Sequence, residues 1–514
     1  MLCVNLPIHS NGSDTIPRSG GTIIVGRGAD SLSLDPANSS DNESSKVIAH
    51  IFEGLVRYKN DSTEIEPALA TSWETSPNGK EWIFHIRKKV MFHDGTPCNA
   101  DAVVFSFLRQ IDPAHAFYRK HFKYAGFTFK YVTKVEALDD HTVKITLEKP
   151  YAPFLSNLGM HHGAPIISPT ALKKWGDDFA KHPVGTGPFK FGEWIPDERI
   201  VLERNTAYWN RSPLLEKLVY QTIKDASLRF DMFQRAQIHI ADSISPADLS
   251  KINQLPGSSL IQVPGMNIVY LAMNMEKTPF NMLPVRKAVN HAINKENLIN
   301  LFYQGMAVPT NNLIPPNMWG YNDQIAEYEY NPDKAKSLLK EAGYEKGFET
   351  TLWTMNVSRP YISLPLEIAR AIKGNLSAVG INARIVSYDW GEYLSRTANG
   401  EHDLCLIGWI SDNGDPDNFL YVLLDKENAV KPKSANRAFF VHELFHDLVI
   451  KAQQTLDKNE RSRLYHQAQE IVHEQAPWVP LAHVQQTIAI QKRIHGVIMR
   501  PTGSLRFDQA WIGD

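Results

Sequence analysis

One segment near the C-terminus reads HELFH, with the H-E-x-x-H spacing of zinc peptidases. On a helix, His442 and His446 would lie one turn apart on the same face and could bind one Zn²⁺, with Glu443 as general base. A third ligand is needed, and the extended H-x-x-G-x-x-H pattern is absent. Glu470 and His473 could supply it, but nothing around them singles them out. The motif therefore keeps a zinc metallopeptidase as one hypothesis.

The residues around this motif predict an amphipathic helix. Leu444, Leu448 and Ala452 follow one another at i, i+4 spacing, with Phe445 and Val449 beside them. Such a stripe has to be buried, so we expect this helix to pack on the next one along the chain. The histidines then lie on a neighbouring, more polar strip.

A second histidine cluster, Met160-His161-His162, precedes the segment GAPIISP. A polar loop is the expected interpretation, and contact with a soft metal or haem is the alternative. Signatures of other enzyme classes are absent, namely G-x-S-x-G, the Walker loop, Cys-x-x-Cys and a context of paired carboxylates.

Length and charge narrow the class of protein. A chain of 514 residues is too long for one hydrophobic core and predicts two or three domains. The formal net charge is -2 and 21% of residues are charged, which does not indicate the basic face that nucleic acids require. Nucleic acid is therefore not an expected partner.

The N-terminus and the cysteines bear on location. No apolar run of about 18 residues is present, so no transmembrane helix is predicted. The opening MLCVNLPIHS has no basic start and too short an apolar run for a complete export signal, for which a truncated start is the simplest explanation. Residues 9–21 are predicted to be a disordered lead-in. Cys98 and Cys405 are interpreted as small apolar residues rather than a disulfide pair, and Cys3 as a possible remnant of a lipidation site.

Several elements can be predicted from local pattern. Helices and strands alternate through the second half, which favours α/β layers with some parallel sheet. The predicted elements are a strand at TIIVGR, a helix over KVIAHIFEGLVRY, hairpins at Asn78-Gly79 and Asp139-Asp140, a helix capped by Asn99 or Asp101, a helix from Asn331 to Gly343, and strands at RIVLERN, INARIVSYDW and HDLCLIGWI.

A series of longer phrases carries a resemblance over more than nine-tenths of the chain, from about Gly21 onward. They include FEGLVRY, EPALATSWE, GKEWIFHIRKKVMFHDGTP, VGTGPFKF, GMNIVYLAMN, NPDKAKSLLKEAGY, GINARIVSYDWGEYL, GWISDNGDPDNF and EQAPWVPLAH. In this order they resemble the extracytoplasmic solute-binding proteins of peptide ABC transporters, family 5, and most closely the dipeptide-binding branch. The motifs are far more specific than the five-residue HELFH match.

The resemblance implies an α/β fold of the periplasmic-binding-protein type II kind, with two lobes that close about a hinge and an additional inserted domain. Domain I would comprise residues 1–37, 186–264 and 483–514. Domain II would be residues 38–185 and domain III residues 265–482. Breaks near Gly185 and Gly265 fall at the crossings between them.

The resemblance also implies the ligand contacts. Asp412 in SDNGDPDNF matches the aspartate that pairs with a peptide's α-ammonium, and Arg359 in VSRPY matches the arginine that pairs with its α-carboxylate. Both end charges of a buried zwitterion must be paired, and the planar guanidinium suits a carboxylate. The alternatives are an ordinary salt bridge for Arg359 and a turn residue for Asp412.

Aromatic and loop residues complete the predicted pocket. Trp390, Tyr361 and Trp409 are expected to stack on the peptide, with ordinary aromatic core as the alternative, above all for Trp409. Gly414 joins Asp412 in the pocket, in a shaping role that it shares with Asn413 and Asp415.

The function implied is that of the solute-capturing component of an ABC importer for dipeptides or short peptides. Its partners would be the peptide and the permease subunits, and it would be a monomer in the periplasm, or lipid-anchored outside the membrane, without enzyme activity, metal or cofactor. Related binders of haem, glutathione, δ-aminolevulinate, nickel or longer peptides are the alternatives. GRGADSLSLDP and the cysteines depart from the branch's usual pattern, which leaves the ligand open.

Overall fold

The structure is a computed structural model that describes residues 17–514. Within that range no helix combines the length and apolarity needed to cross a membrane. Cys3 and most of the predicted lead-in, up to residue 16, lie outside the described residues.

Residues 17–185 begin with one strand of the large sheet and continue as a smaller, mixed unit. Their elements are β1 (Thr22–Arg27), α1 (Asn42–Ile51), β2 (Val56–Tyr58), β3 (Ile65–Pro67), β4 (Ala70–Thr75), β5 (Glu81–Ile86), α2 (Ala100–Ile111), α3 (Ala125–Thr128), β6 (Val132–Asp139), β7 (Thr142–Leu147), α4 (Phe154–Asn157), α5 (Pro169–Trp175) and a 3₁₀ turn (Gly176–Lys181). Strands β4-β5-β7-β6 form a four-stranded antiparallel sheet packed on α2.

Residues 186–264 return to the large sheet. Their elements are β8 (Phe189–Ile195), β9 (Arg199–Arg204), β10 (Lys217–Thr222), α6 (Ala226–Gln234), β11 (Ile240–Ala241), a 3₁₀ turn (Pro246–Asp248), α7 (Leu249–Gln254) and β12 (Ser258–Pro264). Strand β1 lies parallel to both β10 and β11, while β8, β9 and β10 form an antiparallel meander.

The remaining residues alternate helix and strand before a long strand and a short tail. Their elements are β13 (Asn267–Met273), α8 (Leu283–Ala292), α9 (Lys295–Phe302), β14 (Ala307–Pro309), α10 (Pro332–Glu341), β15 (Phe348–Met355), α11 (Pro365–Ser377), β16 (Ile381–Tyr388), α12 (Trp390–Ala398), β17 (Leu404–Ile410), α13 (Asp417–Leu424), a 3₁₀ turn (Lys426–Asn428), α14 (Glu443–Gln454), α15 (Lys458–Gln475), β18 (Trp478–Gln491), β19 (Ile494–His495), β20 (Ile498–Met499), β21 (Leu505–Arg506) and β22 (Trp511–Ile512).

Strand β18 joins two halves of the large sheet. One half contains β1 and β8 to β12, and the other contains β13 to β17. Its first residues pair with β13, and residues 485–491 pair antiparallel with β12. Between β12 and β13 lies Gly265, where a Cβ atom would be 2.6 Å from the carbonyl oxygen of Val484. Next to it, Asn267 exchanges two 2.7 Å side-chain hydrogen bonds with the backbone of Val484. The chain therefore crosses between the halves through a close, glycine-dependent backbone contact.

Buried hydrophobic residues gather around both halves and around the small sheet. One cluster lies within residues 266–484, one joins residues 23–52 to 167–220 and to the C-terminal strands, and one lies within residues 55–166. Distinct cores agree with the expectation from length, while the domain limits themselves remain a prediction.

Most predicted elements are confirmed. Strand β1 has the predicted bounds, both hairpins form, Asn99 and Asn331 accept capping hydrogen bonds, and β15 lies parallel to β16 and β17. The helix predicted over residues 46–58 is too long. Helix α1 ends at Ile51 because Phe52 is extended, and Val56 begins β2, so the later apolar residues of the pattern are buried from a strand and a loop.

Candidate functional site

Asp412 lies in the loop that follows β17 and is half-buried. Its Oδ1 accepts a 2.7 Å hydrogen bond from the hydroxyl of Tyr124, and its backbone N–H donates to Asn418 Oδ1 at 3.3 Å. Burial raises the pKa of the Asp412 carboxyl, an effect that the hydrogen bonds from Tyr124 and Asn418 oppose. Within residues 17–514, no cationic side chain contributes to this shift. Asp412 is thus a shielded carboxylate held by neutral groups.

Arg359 lies in a tight turn after β15, where its N–H donates to the carbonyl of Ile362 at 2.9 Å. Its guanidinium stands over the ring of Trp390, 4.4 Å from the ring centroid. Its charge also opposes the rise that burial causes in the pKa of the Tyr361 hydroxyl. The Nε atom is buried and has no hydrogen-bond partner in the described chain. Within the described part of the chain, the guanidinium is therefore oriented by aromatic groups and has no acidic ion-pair partner.

The predicted aromatic residues lie around these two charges. Tyr361 is buried against Gly408 of β17, where a Cβ atom would come within 2.4 Å of the tyrosine ring, so this contact requires glycine. Trp409 is half-buried, and its Nε1 donates to Asn418 Oδ1 at 2.7 Å, the same oxygen that accepts from the backbone of Asp412. Strand β17 thus links the aromatic group around Arg359 to the loop that holds Asp412.

Gly414 lies where this loop meets residues 38–185. Its N–H donates to the Tyr58 hydroxyl at 3.1 Å and its carbonyl accepts from Trp319 Nε1 at 3.0 Å. A Cβ atom at Gly414 would be 2.5 Å from Thr63 Cβ. Its neighbour Asn413 donates to Asn157 Oδ1 at 2.6 Å. Both polar backbone groups of Gly414 are therefore used in contacts within the chain, and its part in ligand binding stays a prediction.

Three acidic residues of the same segment have different surroundings. Asp415 forms a buried ion pair with Arg461, with Nη2 2.7 and 2.9 Å from the two carboxylate oxygens. Asp417 accepts from Gln453 at 2.9 Å, and burial together with the charge of Asp415 raises its pKa to about 7. Asp415 is therefore committed to a structural ion pair, and Asp412 is the acid that lies beside the predicted aromatic residues.

Tyr124 is a site residue that the sequence analysis did not identify. It contacts Asp412 from residues 38–185, and its ring stacks on His162 with centroids 4.6 Å apart. Nothing in the local pattern HFKYAGFTF separates this tyrosine from an ordinary core aromatic. Only the packing of the two segments reveals it.

The HELFH prediction is corrected by the position of the helix. His442 precedes α14 as its N-cap, with φ -153°, and its Nδ1 accepts from the N–H of Phe445 at 3.3 Å. His446 Nδ1 lies 2.9 Å from Oδ2 of the buried Asp425. Glu443 pairs with Lys426. The two histidines therefore do not share one helical face, and each has a local structural partner.

The packing of α14 also corrects the predicted apolar stripe. Phe445, Val449 and Ala452 form the buried face, whereas Leu444 is 56% exposed. Over residues 17–514, no group of three or more His, Cys, Asp or Glu side chains is arranged to hold a metal ion. Cys98 and Cys405 are buried free thiols, as predicted.

The Met160-His161-His162 segment lies between two environments. His162 Nε2 lies 2.8 Å from Ser45 Oγ on the side of Tyr124. His161 instead lines a cavity together with His50 and Arg500. Burial lowers the pKa of His161 to about 3 and that of His162 to about 4, so both rings are neutral at physiological pH.

Comparisons with known proteins agree on one family. The sequence model described as "Bacterial extracellular solute-binding proteins, family 5 Middle" matches residues 64–431. The chain is 38% identical over 486 residues to the dipeptide-binding protein of Escherichia coli (strain K12), covering 90% of this chain and 89% of that protein. It is 38% identical over 492 residues to heme-binding protein A of Haemophilus influenzae, covering 92% and 89%. A solved structure, the periplasmic binding protein DppA of Helicobacter pylori in complex with the peptide STSA, aligns with a TM-score of 0.79 and 39% identity, covering 97% of this chain and 99% of that one.

Proposed function

Because the chain belongs to the bacterial extracellular solute-binding proteins of family 5, we propose that it captures dipeptides or short peptides and delivers them to the permease of an ABC importer. The family and the aligned structure confirm the predicted two-lobed α/β fold. The peptide would be held between the lobes, in the periplasm or at the outer face of the membrane.

One observation favours a zwitterionic ligand. Asp412 follows β17 and Arg359 lies in the turn after the neighbouring parallel strand β15. Among the described residues neither of these opposite charges is neutralised by an ion pair. Leaving such groups shielded from water without partners is unfavourable, so a ligand that carries both charges gains from binding there. A dipeptide carries an ammonium and a carboxylate at its two ends, which fits this pair.

We infer that the protein binds its ligand without catalysing a reaction. The pocket residues provide opposite charges and stacking surfaces. The HELFH residues are held in capping and side-chain contacts with Phe445, Asp425 and Lys426. Peptide should therefore be recovered intact after prolonged incubation, with or without added zinc.

The test is a calorimetric titration of ligand-free, refolded protein. A dipeptide should bind tightly, and its N-acetylated and C-amidated forms should each lose about 2–5 kcal/mol, because each leaves one shielded charge of the protein unpaired. Equal affinities for the free and capped forms would overturn the assignment.

A different solute is distinguished in the same series. If the dipeptide does not bind while haem or glutathione does, the family role stands and the peptide ligand is wrong. The relative that binds haem makes haem the first alternative to titrate.

A further inference from the structure

A second polar cavity lies away from the peptide residues, between the end of α1, residues 159–161 and the C-terminal segment 500–508. Its volume is about 60 Å³, enough for a few water molecules or one small anion. None of Asp412, Arg359, Tyr361, Trp390, Trp409 and Gly414 lines it. It is therefore separate from the candidate peptide site.

Three arginines meet at this cavity, and two of them have acidic partners. Arg57 Nε lies 2.7 Å from Glu66 Oε1. Arg506 forms a two-pronged ion pair with Asp508, with Nε 2.9 Å from Oδ1. These two positive charges are balanced locally.

Arg500 is different because it is buried, with 5% of its surface exposed, and nearly unpartnered. Its side chain makes one long contact in the described chain, 3.5 Å from Nη2 to Asn60 Oδ1, and that oxygen already accepts a 2.9 Å bond from Arg506. Among residues 17–514, the buried Nε atom of Arg500 has no hydrogen-bond partner. A guanidinium has five N–H donors, so most of its hydrogen-bonding capacity is unused.

The other titratable groups that line the cavity do not neutralise Arg500. Glu53 is occupied by hydrogen bonds from Thr186, Tyr208 and Trp209 at 2.8–2.9 Å. Burial lowers the pKa of both His50 and His161 to about 3, which keeps these rings neutral, and the Nε2 atom of His161 is buried without a partner. Burial, followed by the charges of Arg506 and Arg57, lowers the pKa of Arg500 to about 9.

We propose that this cavity binds a small oxyanion, a phosphate or a carboxylate, through the guanidinium of Arg500. The planar fork of arginine suits the paired oxygens of such anions, and an unpaired buried charge favours uptake of a counter-charge. His161 Nε2 completes the site, as a donor or an acceptor according to its tautomer. The anion would hold the C-terminal segment 500–508 against α1 and residues 159–161.

The test uses the full chain, dialysed into a buffer whose only anion is chloride. Phosphate, acetate and further chloride are then titrated separately and compared at equal ionic strength while the thermal unfolding midpoint is followed. A saturable rise with phosphate or acetate is expected, since a ligand that binds only the folded state stabilises it. The stronger of the two responses identifies the anion class. A flat response to both, or saturation by chloride equal to theirs, overturns the proposal.

Variants assign the effect to the site. Arg500→Met should abolish the saturable rise, and Arg500→Lys should weaken anion binding by about tenfold because the fork is lost. Arg384→Met, at an exposed arginine of β16, is the control and should keep the phosphate or acetate response of the wild type. An undiminished response in Arg500→Met overturns the proposal. Since Arg500→Met removes an unpaired buried charge, it should unfold in chloride no earlier than the wild type.

A direct measurement avoids dependence on the variants' folding. Calorimetric titration of the wild type with the responding anion should give one site, and a bound dipeptide should not block it. Competition between dipeptide and anion would place the anion in the peptide pocket instead and overturn the separate site. Arg500→Met should retain dipeptide affinity within about twofold, which separates this proposal from the peptide-binding one.

Discussion

The hydroxyl of Tyr124 donates a 2.7 Å hydrogen bond to Asp412 Oδ1 across 288 positions of sequence. This contact joins the loop after β17 to residues 38–185, next to the contacts of Asn413 and Gly414 with the same segment. The Asp412 carboxylate, which we propose binds the ligand's ammonium, is therefore oriented by a side chain of residues 38–185. Closure and ligand recognition would share these groups.

Asp412→Asn should weaken binding of a free dipeptide by about 2 kcal/mol or more, because the ammonium loses its charge partner. The N-acetylated dipeptide, which has no ammonium, should bind the variant at least as tightly as the wild type, because the variant has no shielded charge to leave unpaired. Asp447→Asn, a change of the same kind on the exposed face of α14, is the control. Calorimetry gives all six affinities. An equal loss for both ligands would show that Asp412 acts only on the fold.

Arg359→Lys should lose most of the affinity that Arg359→Gln loses. A lysine keeps the charge but lacks the planar fork and stacks less well over Trp390. The C-amidated dipeptide should lose no affinity in either variant because it has no carboxylate to pair. Full retention of affinity by the lysine variant would argue against two-pronged recognition.

Dipeptide affinity should decline on acidification at a pH above the ordinary aspartate range. Burial raises the pKa of free Asp412, while a bound ammonium favours the ionised form. Affinity is then full above the raised pKa and falls as the pH decreases through it, by up to about tenfold per unit. Titrations between about pH 4 and pH 8 measure this decline.

Two variants test the origin of that pH dependence. Tyr124→Phe removes a hydrogen bond that lowers the Asp412 pKa, so the decline should begin at higher pH. In Asp412→Asn this decline of dipeptide affinity with falling pH should be absent. A step that persists in Asp412→Asn would assign the titration to another group.

Gly414→Ala should hold the two segments apart. The new Cβ would lie 2.5 Å from Thr63 Cβ and 2.8 Å from the Thr63 carbonyl oxygen, and the backbone oxygen cannot move independently. Dipeptide affinity should fall by about tenfold or more, and small-angle scattering of the ligand-saturated variant should give a larger radius of gyration. Gly374→Ala, at an open position in α11, is the matched control. Unchanged scattering and affinity would show that this contact does not limit closure.

His442→Ala should lower the free energy of unfolding by about 1 kcal/mol, since the N-cap acceptor of α14 is lost. His442→Asn, which restores a capping acceptor, should recover most of that loss. Dipeptide affinity should be unchanged in both. Zinc measured after dialysis against a chelator should be absent from the wild type, and stoichiometric zinc would revive the peptidase hypothesis.

Local elements followed from the sequence because their causes lie within a few residues. The Asn78-Gly79 hairpin, the Asn331 cap and strand β1 depend on turn chemistry, a capping side chain and alternation. The predicted helix over residues 46–58 extended too far toward the C-terminus, because buried apolar residues continue beyond Ile51 through a loop and into strand β2. The HELFH spacing is weak evidence for a related reason, since spacing alone does not say where a helix begins.

By itself the sequence determined the family, the mixed α/β class and the identity of Asp412 and Arg359 as candidate ligand residues, since these belong to contiguous motifs. The tertiary structure decided which charges are already neutralised. Within residues 17–514, Asp415 pairs with Arg461, whereas Asp412 accepts from Tyr124 and the Arg500 side chain makes only a long contact to Asn60. Such pairings join residues far apart in the chain, and burial sets their energies, so no local pattern encodes them.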